Sequence, residues 1–99
     1  MMKLRINPIV AIDLKNIKDY IAKDSEEVAE EVINKLYAQI ENIQQSPNIG
    51  LELSKRVRFR TNYKYVIWEN YIIFYKIQGE YVEIYRVVNR YQDITKIFE

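Results

Sequence analysis

Tyr63-Lys64-Tyr65-Val66-Ile67-Trp68, Glu69-Asn70, Tyr71-Ile72-Ile73-Phe74-Tyr75-Lys76-Ile77, Gln78-Gly79-Glu80 and Tyr81-Val82-Glu83-Ile84-Tyr85-Arg86-Val87-Val88-Asn89-Arg90 form the stretch that decides the fold of this 99-residue chain. Three runs rich in aromatic and β-branched residues are parted by two short polar breaks, and only the second break holds a glycine, Gly79. Such side chains suit a pleated, half-buried surface, and breaks this short connect strands only as hairpins. The stretch predicts a three-stranded antiparallel meander. Neither break is an Asn-Gly turn, so the hairpin registers are left open.

Upstream of the meander the periodicity changes. Leu4 and Ile6 alternate with Lys3 and Arg5, as in a short first strand. Asn7-Pro8 opens a helix, because Asn accepts from free amides and Pro has no amide to leave unpaired. Val10, Leu14, Ile17 and Ile21 then make one apolar stripe, predicting a helix over 8–23. A second helix is predicted over 25–45. Its cap is either Asp24, at capping-box spacing from Glu27, or Ser25. Glu26, Glu27, Glu30 and Glu31 crowd its first turns, where the helix dipole favours negative charge. Ala29, Val32, Leu36, Ile40 and Ile43 form its stripe.

Pro47-Asn48-Ile49-Gly50 reads as a turn, and Ile94, Ile97 and Phe98 have helical spacing near the chain end. Sequential helices followed by sequential strands predict a single α+β domain over 1–99. Its antiparallel helical hairpin covers one face of a twisted antiparallel sheet and leaves the other face open for function. Leu14, Ile17, Ile21, Val32, Leu36, Ile40, Ile73, Tyr75 and Ile84 are expected in the core.

Composition bounds the chemistry. Cysteine and histidine are both absent, which removes disulfides, Cys/His metal sites and the usual neutral-pH proton shuttle. No cofactor or metal is expected. No run approaches the length of a membrane span and no signal core is visible, so a cytoplasmic protein is expected. The net charge is only +1, yet Lys55, Arg56, Arg58, Arg60 and Lys64 place five cations in ten residues without an acid. If Arg56 to Arg60 is extended, its three arginines share a face. Such a run either blunts an exposed sheet edge or receives phosphates or an acidic partner segment. Arg86 is the second anomaly, since strict alternation puts it in a row with Val82, Ile84 and Val88. A guanidinium there requires an ion pair, to Glu83 or Asp93, or a place at the mouth of a concave sheet face.

The whole chain resembles the RelE/ParE superfamily of toxins from bacterial type II toxin–antitoxin systems. The matching pieces are Leu4-Arg5-Ile6 with Pro8, Leu14 to Ile21, and Pro47-Asn48-Ile49-Gly50. Further pieces are Asn62-Tyr63-Lys64-Tyr65-Val66, Asn70 to Ile77, and Val82 to Val88. The resemblance implies the α+β toxin fold and growth inhibition neutralised by a cognate antitoxin, as in plasmid stabilization systems. It allows a homodimer or a toxin–antitoxin hetero-oligomer. It also implies one of two targets: DNA gyrase for ParE-like members, or ribosome-bound mRNA for ribonuclease members. For a ribonuclease the resemblance points to Lys64, Arg86, Arg90 and Tyr91 as catalytic. For a binding protein it points to Lys55, Arg56, Arg58, Arg60, Lys64, Arg86 and Arg90. The sequence departs from the ribonuclease pattern at Val66 and Ile72, where those relatives carry cations. It departs again at Asn89, Arg90, Tyr91 and Gln92, which replace His, Gly, Arg and Arg between Arg86 and Asp93. Cleavage through a 2′-hydroxyl needs a positioned base, charge stabilisation and a proton donor. The balance of the sequence therefore favours a ParE-like binder, with a ribosome-dependent mRNA endonuclease or a non-toxic binding module as the alternatives.

Overall fold

The computed structural model describes residues 1–98. The chain runs β1 (Lys3–Ile6), α1 (Ile9–Ala22), α2 (Glu26–Gln45), β2 (Leu51–Glu52), β3 (Lys64–Trp68), β4 (Tyr71–Gln78), β5 (Tyr81–Asn89) and α3 (Ile94–Ile97). Both long helices fall within a residue of the expected bounds. Asn7 Oδ1 accepts from the Ile9 amide at 3.1 Å, which starts α1. Between the two candidate caps of α2, Ser25 is the one used, its Oγ accepting from the Val28 amide at 3.2 Å.

The strands form one five-stranded sheet in the order β1-β5-β4-β3-β2. The β3–β4–β5 meander is antiparallel, as its hairpin breaks require, with Trp68 opposite Tyr71 and Gln78 opposite Tyr81. Gly79 takes a positive φ of 60° in the second turn. In the first turn Glu69 does so at 53° with a side chain attached. Arg90 holds that turn from outside, its amide donating to the Asn70 carbonyl at 2.8 Å and its Nη1 to the Glu69 carbonyl at 3.3 Å. The first strand departs from an all-antiparallel sheet: β1 pairs with β5 in parallel, Leu4 opposite Val82 and Ile6 opposite Ile84. The helical hairpin carries the chain from one edge of the sheet to the other, so β1 enters without a tight turn to fix its direction.

Val10, Leu14, Leu36, Ile40 and Ile43 bury the helical stripes against Ile73, Tyr75, Val82, Ile84 and Val87. Each such side chain contributes roughly 1.5–3 kcal/mol of burial. Six of the nine expected core residues are buried, whereas Ile17, Ile21 and Val32 are half-buried. Ile21 and Val32 lie toward the open end of the helical layer, lining a groove with Trp68 and Tyr71.

A β-bulge resolves the Arg86 anomaly. Phe74 faces Arg86 while the next residue, Tyr75, faces Ile84, so Tyr85 is an extra residue on β5. Strict alternation ends there: Val87 joins the helix-side core, and Val88 lies with Ile72 and Phe74 on the opposite side. The partner of Arg86 is Asp13 of α1, not Glu83 or Asp93. Arg86 Nε and Nη2 donate to the two Asp13 oxygens at 2.9 Å each, and the Val87 amide donates to Asp13 Oδ2 at 3.0 Å. The Asp13 side chain is 8% exposed and that of Arg86 20%. Hydrogen bonding to this carboxylate raises the Arg86 guanidinium above its ordinary pKa, against the opposing effect of burial.

A second buried polar contact fixes β2. Tyr75 donates its hydroxyl to the Pro47 carbonyl at 2.6 Å and accepts from the Gly50 amide at 2.9 Å. Burial pushes the phenol above its usual pKa, partly offset by the Gly50 bond. Gly50 has an ordinary φ of −74°. It is required for space, because a Cβ there would lie 2.7 Å from Tyr75 Cε1.

Two stability measurements follow, both read from urea unfolding. Asp13→Ala leaves the Arg86 charge and the Val87 amide unpaired under α1 and is expected to cost about 3–5 kcal/mol; Asp13→Asn, which keeps an acceptor, is expected to cost less. A loss under about 1 kcal/mol for the alanine variant would mean that water satisfies the site. Gly50→Ala is expected to cost about 1–3 kcal/mol by displacing the Tyr75 ring. In the Tyr75→Phe background, where the hydroxyl contact is already lost, the added cost of Gly50→Ala should shrink, and full additivity would refute the clash.

Candidate interaction surface

The sheet face away from the helical hairpin is not open, contrary to expectation. Leu53, Tyr65, Ile72, Phe74, Val88 and Ile97 form a second buried cluster there, edged by Val57, Tyr63, Ile67, Tyr85, Ile94 and Phe98. Phe98 is its hub. Its ring lies 5.1 Å from Tyr63, 5.1 Å edge-on from Phe74, 5.3 Å from Tyr85 and 6.2 Å from Phe59. Such offset and edge contacts add about 0.5–1.5 kcal/mol per pair beyond area burial. Two coverings thus meet on this face: the loop after β2 and the chain end that includes α3.

That loop carries the cation run. Leu53–Lys55 forms a single 3-10 turn anchored by the buried Leu53, whose carbonyl accepts from the Arg56 and Val57 amides at 2.8 and 3.1 Å. The backbone from Arg56 to Arg60 then bends and pairs with no strand, so the extended reading of this segment fails. The local bonds to Leu53 draw the backbone into turns, and Val57 and Phe59 turn toward the second cluster and Phe98. Arg56, Arg58 and Arg60 are left exposed around this apolar anchor.

Two shallow grooves share Arg56. The first, about 450 Å³, is lined by Arg56, Val57, Arg58, Phe59, Arg90, Gln92, Asp93, Ile94 and Thr95. The second, about 380 Å³, is lined by Gly50, Leu51, Glu52, Lys55, Arg56, Lys64 and Tyr65. Arg56 itself lies over the Tyr65 ring, 5.3 Å from its centroid. Lys55 pairs with Glu52 at 3.2 Å, an exposed contact of little net energy. Lys64 sits opposite Glu52 on one side and Tyr75 on the other. Among the described residues no carboxylate comes within ion-pair distance of Arg56, Arg58, Arg60, Lys64 or Arg90. Asp93, which faces the first groove, is engaged locally: the Thr95 hydroxyl and amide donate to its Oδ1 at 2.7 and 3.0 Å. Those bonds hold its carboxyl below the usual range.

The structure therefore gathers Lys55, Arg56, Arg58, Lys64 and Arg90 around two adjoining grooves, with Arg60 exposed on the same loop. Arg86 is elsewhere, committed to Asp13 under α1. Tyr91 is 77% exposed and lines neither groove; the Arg90 guanidinium lies 5.6 Å from its ring centroid. Of the ribonuclease set, Arg86 is thus set apart, while Lys64 and Arg90 line adjoining grooves and Tyr91 lies beside Arg90 outside them. Sequence reasoning missed Asp13 and Phe98 as organisers. The signal for Asp13 was present, since an acid three residues after Val10 sits on the apolar stripe of α1. Among the described residues no group of His, Cys, Asp or Glu is arranged to hold a metal ion, and no helix is long and apolar enough to cross a membrane.

Comparison with known proteins completes the picture. Residues 4–94 match the family model described as the ParE toxin of the type II toxin–antitoxin system, parDE. No curated protein matches the sequence significantly. Among solved structures, a chain of the chromosomal ParDE TA system from P. aeruginosa superposes with a TM-score of 0.75 at 23% identity, covering 90% of this chain and 96% of that one. At that identity the superposition speaks for the fold. The family match spans nearly all of the elements described above, and the chain belongs to the ParE toxin family of type II toxin–antitoxin systems.

Proposed function

We propose that this toxin arrests growth in the cytoplasm by binding DNA gyrase, without cutting mRNA, and that an antitoxin segment disordered on its own folds onto it to neutralise it. The observation that carries the reading is the withdrawal of Arg86 from the ribonuclease set. Arg86 donates through Nε and Nη2 to Asp13 under α1, away from the adjoining grooves that Lys64 and Arg90 line. Ile72, where ribonuclease relatives carry a cation, is fully buried in the second cluster, and Val66 packs against the first. One missing donor to a developing phosphate charge costs about two to three orders of magnitude in rate. Two missing cations and no histidine leave little turnover to expect.

Induction of the toxin without its antitoxin should stop growth, with transcripts intact by primer extension and supercoiling by purified gyrase inhibited. Codon-phased breaks within minutes, lost on Arg90→Ala or Tyr91→Phe, would replace this reading with the nuclease. Normal growth on induction would remove toxicity altogether and leave the fold and family standing.

A further inference from the structure

We propose that this chain pairs with a second copy of itself as a two-fold dimer, the cationic groove of each copy meeting an acidic, aromatic groove of the other. The inference goes beyond gyrase binding and does not depend on it. The acidic groove, about 440 Å³, opens where the helical hairpin parts from the β3–β4 turn. Tyr20, Val28, Trp68 and Tyr71 give it apolar walls, and Glu31 and Glu69 supply carboxylates. Tyr20 is 71% exposed and Val28 45%, so apolar surface stands uncovered there. Lys35 lines the same groove, yet among the described residues neither Glu31 nor Glu69 has a cation within ion-pair distance. Glu69 also keeps its positive φ of 53° in a turn where glycine would be less strained.

An apolar groove edged with acid fits an apolar surface that carries cations, and this molecule has one. Arg56, Arg58 and Arg90 line the cationic groove together with Val57 and Phe59. None of the three arginines has a carboxylate within ion-pair distance among the described residues. The two grooves lie on opposite sides of the sheet and meet at one end of it. Arg90 touches both. It lines the cationic groove, while its Nη1 and its amide hold the carbonyls of Glu69 and Asn70, which line the acidic one. That placement selects the occupant. A two-fold axis in the plane of the sheet, just beyond the β3–β4 turn, turns the second copy over, so the cationic side of each faces the acidic side of the other. Both contacts then form at once and leave no open patch for a third copy. A net charge of +1 scarcely opposes this association. A partner of one sign would fill one groove and leave the other idle.

The test is sedimentation velocity of the full chain over a concentration series, with acrylamide quenching of Trp68, the single tryptophan, read on the same samples. The expected dimer has a Kd on the order of 10 μM at low salt and weakens about tenfold by about 200 mM KCl, as screening reaches its charge pairs. Trp68 should become harder to quench as the dimer fills. Arg56→Glu/Arg58→Glu and Glu31→Lys/Glu69→Lys, each confirmed folded by its urea midpoint, should each be monomeric where the parent chain is half dimer. Mixed in equal amounts the two variants should dimerise again, because every reversed charge then meets a reversed partner. The proposal is overturned if the parent chain stays monomeric to about 200 μM at low salt. It is overturned too if the chain dimerises with the quenching of Trp68 unchanged, which would place the interface elsewhere. Dimerisation of either variant alone at the parent affinity, or failure of the mixture to dimerise, would equally overturn it.

Discussion

The carboxylate of Asp13 ties the first turns of α1 to β5 just past its bulge, through the guanidinium of Arg86 and the amide of Val87. Without the extra residue at Tyr85, β5 would continue its alternation, and Val88 instead of Val87 would face the helices. The bulge shifts every later side chain of β5 to the other side of the sheet, so Ile72, Phe74 and Val88 can build a second cluster behind the first. A buried pair of this kind contributes little net stability, because desolvation of both charges offsets their attraction. What it fixes is position. Helix α1 can sit at one height against the sheet, and β5 can slip by no residue without leaving a charge unpaired.

The elements formed by local rules were legible in the sequence. The meander follows from β-branched and aromatic runs parted by breaks of two and three residues, and both helices follow from stripes at helical spacing. Ser25 competed with Asp24 for one cap, and local sequence could not rank them. Features that depend on distant partners were not legible. The parallel direction of β1 is set by where α1 and α2 return the chain, not by Lys3 to Ile6 themselves. The bulge appears in the sequence only as two anomalies, an acid on a helical stripe and an arginine in a strand row. Each is unremarkable alone, and together they are an ion pair. The cation run was legible as charge and misleading as geometry, since alternating Arg-Val-Arg-Phe-Arg has the period of a strand. The buried Leu53 and its bonds to the Arg56 and Val57 amides override that period.

Charge in this molecule is divided by layer. Acids gather at the start of α2, where Glu26 and Glu27 meet the positive end of the helix dipole and Glu30 and Glu31 follow in the next turn. Cations gather at the opposite side, on a loop that owes its shape to apolar anchors. A near-neutral protein thereby presents two surfaces of opposite sign. Long-range steering acts on such a molecule through its charge asymmetry more than its net charge, and it weakens as salt screens each surface.

The parallel pairing of β1 with β5 also dictates an order of assembly. Lys3 meets Tyr81 and Ile6 meets Ile84, so β1 waits for a strand made more than seventy residues after it. The helical stripes wait as well, since they bury against Ile73, Tyr75, Val82, Ile84 and Val87 of β4 and β5. Asp13 has no partner until Arg86 is synthesised, and Phe98 arrives later still to close the second cluster. Contacts this distant in sequence slow folding because the closing loop must be organised first. A chain that stops before β5 lacks the partner strand of β1 and the Val82, Ile84, Val87 and Val88 side chains of the two cores.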